Sequence, residues 1–141
     1  MNIIEDNEKY SEIFGHNNCL LCGENNRHNL GLKFKLLGDG RVHTKFKAFE
    51  VLQGYEGLLH GGVTYGLLAS AMVHCLFHNG IKAVTADANI RFFESVPCTA
   101  EIDLFGEIVE KKRSLYYMKG EIIYKGKLMA KATARFMKKT N

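Results

Sequence analysis

The stretch His60-Gly61-Gly62-Val63-Thr64-Tyr65-Gly66-Leu67-Leu68-Ala69-Ser70-Ala71-Met72-Val73-His74-Cys75-Leu76-Phe77-His78 decides the fold. Over residues 63–78 nearly every side chain is apolar or small, and none is Pro, Lys, Arg, Asp or Glu. Such a run predicts one buried helix of about four turns, within the usual range of roughly 8–20 residues. Asn79-Gly80 supplies its stop, glycine being the residue that readily takes the left-handed conformation at a helix C-terminus. Gly61 and Gly62 stand at the entrance. There the first backbone N–H groups have no partner within the helix, and the helix dipole places partial positive charge. Glycine lets another molecule approach that backbone closely. An oxygen that is negative, or becomes so during a reaction, is stabilised at such a corner. A plain glycine turn into a helix fits the same residues equally well.

Before the helix, residues 31–37 form a candidate strand, Gly38-Asp39-Gly40 a hairpin turn, and residues 41–49 a second strand. That second strand alternates, with Val42, Thr44, Phe46 and Ala48 on one face and Arg41, His43, Lys45 and Lys47 on the other. A loop over residues 50–59 leads into the helix. After it, residues 84–93 alternate again, with Thr85, Asp87, Asn89 and Arg91 sharing one face. Pro97 marks a turn, and residues 99–109, 115–124 and 128–137 complete the set, Lys125-Gly126 turning between the last two. Strand, strand, helix and four more strands joined by short turns predict an antiparallel α+β domain. Ala130, Ala132 and Ala134 form a stripe small enough to let the helix sit close to the sheet.

With 141 residues the chain is read as one domain, in which an irregular, Asn-rich segment 1–30 belongs with the body 31–141. Its net charge of +4 suits an anionic ligand and falls short of a nucleic-acid binder with clustered basic segments. The one basic triplet, Lys111-Lys112-Arg113, falls at an expected turn. Met1-Asn2-Ile3-Ile4-Glu5-Asp6 does not resemble a secretory leader, and the helix is too short and too rich in His and Gly for a membrane span, so a cytoplasmic location is expected, with no membrane partner. Cys19, Cys22, Cys75 and Cys98 do not suggest a secreted disulfide framework.

Gln53-Gly54-Tyr55-Glu56-Gly57-Leu58-Leu59-His60-Gly61-Gly62, then Leu67-Leu68, Ala71-Met72, Thr85, Ile90-Arg91-Phe92 and Pro97, together resemble the hotdog-fold acyl-CoA thioesterases of the phenylacetate-degradation type. Cys19-x-x-Cys22-Gly23 with Asn26 and Gly31-Leu32 is similar to a recurrent opening in one branch of that family, so the likeness runs over roughly residues 19–136. The resemblance implies a curved antiparallel sheet wrapped around one long central helix. It also implies a homodimer, or a dimer of dimers, with sites at the subunit interface, and a substrate carried as a thioester on coenzyme A or an acyl carrier. No cofactor of the protein's own is implied. In such enzymes the N–H at the second glycine, here Gly62, polarises the thioester carbonyl, and the histidine, here His60, shapes the loop. A carboxylate nine residues beyond the histidine, on the partner's helix, attacks or activates water. Here that position is Ala69. The commonest hydrolytic carboxylate is therefore missing.

Several residues are candidates to fill or flank the gap. Glu56 is either a substitute base or a solvated loop carboxylate. Asp87 either faces a cleft or pairs with Arg91 two residues along. Ser70 is a nucleophile only if a base reaches it, and otherwise a small packing residue. Gln53 either bonds substrate or water or stabilises its loop. Gly61 is a candidate substrate contact, Tyr55 and Tyr65 either line an acyl pocket or belong to the core, and Arg91, Lys111, Lys112 and Arg113 are candidates for coenzyme A phosphates. No metal is expected: His74 and His78 share a helix face but lack the His-Glu-x-x-His pattern. His16, Cys19 and Cys22, with His28 nearby, have the residue types of a small zinc knuckle, but a single CxxC is weak spacing. Three functions follow: a thioesterase, a non-catalytic acyl-CoA or acyl-carrier binding module, and a zinc-stapled interaction protein. Dehydration or acyl transfer at the same site remains a further possibility.

Overall fold

The computed structural model describes residues 14–139; the reading of Met1 to Asp6, and of the first part of segment 1–30, falls outside them. The named elements among these residues are β1 (Lys35–Leu36), β2 (Val42–Lys47), the long helix α1 (Gly61–His78), β3 (Ala83–Phe92), β4 (Glu101–Lys112), β5 (Leu115–Tyr124) and β6 (Lys127–Lys138). The strands form a single sheet in the order β1-β2-β4-β5-β6-β3 with every pairing antiparallel. This is the expected α+β arrangement. The chain crosses from one edge to the other after α1, so β3 pairs with β6 rather than with its sequence neighbour β4.

Two elements differ from the sequence expectation. Strand β1 keeps only two residues, because the backbone before it is engaged elsewhere: Leu30 N–H donates to Leu20 O (3.0 Å) and Leu32 N–H to Leu21 O (3.1 Å). Strand β4 runs on to Lys112, past a register shift between Ile108 and Glu110. The basic triplet thus lies half in a strand, and only Arg113 adopts a positive φ, 57°.

Helix α1 starts at Gly61, two residues before the apolar run, and ends at His78, with Asn79 as its C-cap and Gly80 following at φ 73°. It is apolar on most sides, as a helix covered nearly all round must be. Leu67, Leu68, Ala71, Met72, Cys75 and Leu76 are fully buried, facing Ile102, Leu104, Met118, Ile122, Ala130 and Ala132 on the sheet. The alanine stripe is buried as expected, but the tightest approach is two strands further in, at Gly106 on β4. A β-carbon on Gly106 would overlap the carbonyl of Ala71, and one on Gly120 would lie 3.1 Å from Leu68 O. Gly106 and Gly120 are direct cross-strand partners, and Gly120 in turn pairs with Ala132. A row of minimal side chains therefore runs across three strands and lets the helix backbone lie on the sheet.

Gly106→Ala should overpack this seat and lower stability by roughly 1–3 kcal/mol, read as a lower denaturant midpoint with an unchanged slope. Loss of less than about 0.5 kcal/mol, the range of an ordinary surface change, would show that the helix moves aside freely.

Candidate functional site

Residues 49–60 coil into a knot that aims the start of α1. A 3-10 turn at Glu50–Leu52 begins it. Gln53 and Leu59 then form an isolated bridge, Gly54 N–H donates to Leu58 O (2.9 Å), and His60 N–H returns to Leu52 O (2.8 Å). Gln53 Oε1 accepts the Gly57 N–H at 3.0 Å. The knot is pinned to a distant segment by Leu59 N–H to Val96 O (2.8 Å) and by a bridge between Leu58 and Pro97.

His60 caps the helix with its ring. Its Nδ1 accepts the Gly62 N–H at 2.8 Å, and its carbonyl accepts both the N–H (2.9 Å) and the Oγ1 hydroxyl (3.0 Å) of Thr64. Accepting through Nδ1 places the proton of a neutral ring on Nε2. The ring folds so close over Gly62 that a β-carbon there would lie 3.0 Å from ring atoms. The donor expected at Gly62 thus already has an intramolecular acceptor. At this corner the Gly61 N–H has none among the described residues. Gly61 also lines a cavity of 510 Å³ with Gly54, Tyr55, Leu58, Leu59, His60, Thr64, Phe92, Glu94, Ser95 and Val96. A mostly apolar wall thus meets an open backbone donor at a helix N-terminus, which suits an acyl group ending in a polarisable carbonyl.

The other sequence candidates are scattered. Gln53 and Glu56 are exposed and do not line the cavity. Ser70 is buried within the helix packing. Tyr65 and Ala69 lie on the half-exposed stripe of α1 with Gly66 and Val73. Asp87 is paired, though not with Arg91. Its ladder partner on β6 is Arg135, whose Nε donates to both carboxylate oxygens (2.9 and 3.0 Å) and whose Nη2 also contacts it. The Arg135 guanidinium holds the Asp87 carboxyl below the usual carboxylate range. Arg91 instead lies over the Phe93 ring, 5.7 Å from its centroid. Lys111 and Lys112 sit over Tyr116 and Tyr117, and none of the four proposed phosphate contacts lines the cavity. His74 is wholly buried between aromatic rings, burial pushing its pKa down to about 3.

Sequence reasoning overlooked Glu94 and Ser95. Glu94 is the one acidic residue on the cavity wall, and its carboxylate is paired with Lys127. Their place there depends on contacts between residues 58–59 and 96–97, which no local periodicity reveals.

With this geometry in place, comparison with known proteins is informative. The profile of the thioesterase superfamily matches residues 56–131, which include the helix entrance, the whole of α1 and most of the sheet. The chain belongs to the thioesterase superfamily. Comparison with curated proteins gives no match. Among solved structures, the thioesterase superfamily protein RHA08564 superposes with a TM-score of 0.81 at 21% identity, over 86% of this chain and 60% of that one. The chain therefore spans three-fifths of that relative's length. A hypothetical thioesterase protein of Streptococcus pneumoniae TIGR4, solved with coenzyme A, gives 0.70 at 22% identity over 75% of this chain and 86% of its own. The smu.793 protein of Streptococcus mutans UA159, bound to acetyl CoA, gives 0.70 at 19% over 81% and 94%. At such identities the likeness is one of fold, and the six-stranded antiparallel sheet with the long helix α1 fits the hotdog class.

His60→Ala should remove the helix cap and lower stability by about 1 kcal/mol, measured by urea denaturation. No change in midpoint would mean the ring contributes nothing to holding the entrance of this superfamily member.

Proposed function

We propose that this member of the superfamily binds acyl-CoA thioesters, in the manner of the phenylacetate-degradation type, and hydrolyses them at the α1 entrance. The open Gly61 N–H at the mouth of the 510 Å³ cavity carries this reading. The thioester carbonyl accepts from Gly61, which stabilises the oxyanion as water adds; its collapse breaks the C–S bond and expels coenzyme A as a thiolate, which takes up the proton given up by the water. Gly62, the donor expected from the resemblance, supports this corner indirectly by anchoring the His60 ring. His60 shapes the mouth, and Leu58, Leu59, Val96 and Phe92 contact the acyl chain. Glu94, which is exposed like Glu56 but unlike it lines the cavity, accepts a proton from the attacking water, its carboxylate also meeting Lys127. Gln53 keeps a loop role through its bond to Gly57.

The assay is release of free thiol from short, medium, long and aromatic acyl-CoAs. Proline is tolerated at the first position of a helix, and His60 already has ψ 133°, the extended value that a following proline requires. Gly61→Pro should therefore delete the donor without breaking α1, lowering kcat by about 10²–10³-fold. Gly61→Ala keeps the N–H, adds a methyl in ordinary contact with Phe92, 3.7 Å away, and should retain activity. Glu94→Gln should cost about 10²–10⁴-fold if it serves as base. Equal rates in Gly61→Pro and the parent protein would remove Gly61 from the mechanism.

A second reading is favoured by Ala69, which leaves the helix without the expected carboxylate. In that case the site binds acyl-CoA or an acyl carrier without turnover. Measurable CoA-ester binding with no thiol release above background selects it.

Self-association belongs to the same proposal. Strand β3 is the sheet edge beyond β6; its ten residues are nearly all exposed, and Val84, Phe92 and the adjacent Phe93 add apolar surface. An open edge of that length and character is a template for pairing with a second copy. Sedimentation equilibrium should find a dimer or a dimer of dimers, and a monomer at micromolar concentration would discard this part.

A further inference from the structure

The N-terminal loop holds a cluster that the thioester chemistry does not use. The ligand-type atoms of His16, Cys19 and Cys22 all lie within 4.8 Å of one another, the single such His/Cys/Asp/Glu group among the described residues. His28, near in sequence, is not part of it; its ring meets the Arg27 guanidinium at 3.3 Å. Cys22 Sγ and His16 Nδ1 are 3.6 Å apart, long for a contact that must hold a proton firmly. It matches the edge of a zinc tetrahedron: bonds of about 2.3 Å to sulfur and 2.0–2.1 Å to nitrogen at the tetrahedral angle put the two ligand atoms about 3.6 Å apart.

The loop is built around the first sulfur. Leu21 N–H points at Cys19 Sγ at 3.4 Å, and the turn closes through Cys19 N–H to His16 O (3.0 Å), Gly23 N–H to Cys19 O (2.8 Å) and Asn25 N–H to Asn17 O (2.9 Å). A β-carbon at Gly23 would overlap Cys19 N and lie 2.6 Å from the carbonyls of His16 and Asn17, so only glycine can follow Cys22 here. Backbone N–H groups aimed at a sulfur favour the thiolate, the form that binds metal. A bound cation would draw the proton from each sulfur.

A second observation points the same way. His74 is fully buried, and both its ring nitrogens lack a hydrogen-bond partner among the described residues, a costly state for an imidazole. It stands edge-on to His16, ring centroids 6.4 Å apart. Three protein ligands leave one tetrahedral position, and His74 is the adjacent polar group in want of a partner.

We propose that His16, Cys19 and Cys22 bind a zinc-class divalent cation, a structural site that staples the N-terminal loop to the C-terminal half of α1. Two thiolates and an imidazole select zinc over the oxygen-seeking magnesium and calcium. The cluster belongs to the His74 end of the helix and shares no residue with the cavity at the Gly61 end, so it acts on folding rather than on the thioester.

The test uses the full chain, purified under reducing conditions without added metal and analysed by elemental mass spectrometry. One zinc per chain is expected, and the apo protein should bind Co²⁺ with the sulfur-to-cobalt charge-transfer band and intense visible bands of tetrahedral thiolate coordination. Cys19→Ser and Cys22→Ser should lose the metal and the band, whereas Cys98→Ser keeps both. Should the serine variants fail to fold, the parent protein alone decides. A folded, fully reduced apo protein that takes up neither Zn²⁺ nor Co²⁺ at stoichiometric concentration overturns the site, as does recovery of a Cys19–Cys22 disulfide with no metal uptake after reduction. Neither result bears on thiol release from acyl-CoA, so the two proposals fail separately.

Discussion

The carbonyl of Ala71 occupies the space that a β-carbon on Gly106 would need, and from this contact the rest of the domain follows. Main chain of the helix rests on main chain of the sheet, with Gly120 and Ala132 continuing the flat seat across β5 and β6. Larger side chains, among them Phe34, Phe136, Leu104 and Met118, fill the space around it. So close a seat fixes the height of α1 over the strands. That in turn sets where the first turn of the helix emerges.

The helix entrance is held by polar contacts instead. Its N-terminus would offer several open donors, but the His60 ring takes one and the Thr64 N–H goes to the His60 carbonyl. Among the described residues the N–H groups of Gly61 and Val63 are left, and of the two only Gly61 lines the cavity with apolar walls. The fixed donor needs no reorganisation as charge develops on a carbonyl oxygen, which makes such a corner useful to thioester chemistry. At the opposite end of the helix the His16, Cys19 and Cys22 loop makes its own polar knot around sulfur. The two ends of α1 are thus finished by different chemistries.

The fold was largely legible because its signals are local. A run of uncharged residues closed by Asn79-Gly80 can only be a buried helix, and period-two alternation marks β2 and β3. Gly106 and Gly120, glycines inside strands, are signals of close backbone approach. The site was less legible. Spacing along the strand offers Asp87 a cleft or Arg91, two residues on, whereas the ladder brings Arg135 from 48 residues away. Glu94 reaches the cavity wall only because residues 58–59 bond to residues 96–97.

By itself the sequence determined the element order, the superfamily resemblance and the loss of a carboxylate at Ala69, since these are properties of residue identity and short-range period. Tertiary structure alone decided which donors at the helix entrance remain open. Whether a backbone N–H is free depends on where a neighbouring ring folds, and the Nδ1 of His60 turned out to lie over Gly62 rather than Gly61. It likewise decided that His16, Cys19 and Cys22 converge. Spacing permits many loop shapes, and only the tight packing at Gly23 selects the one that brings three ligand atoms together.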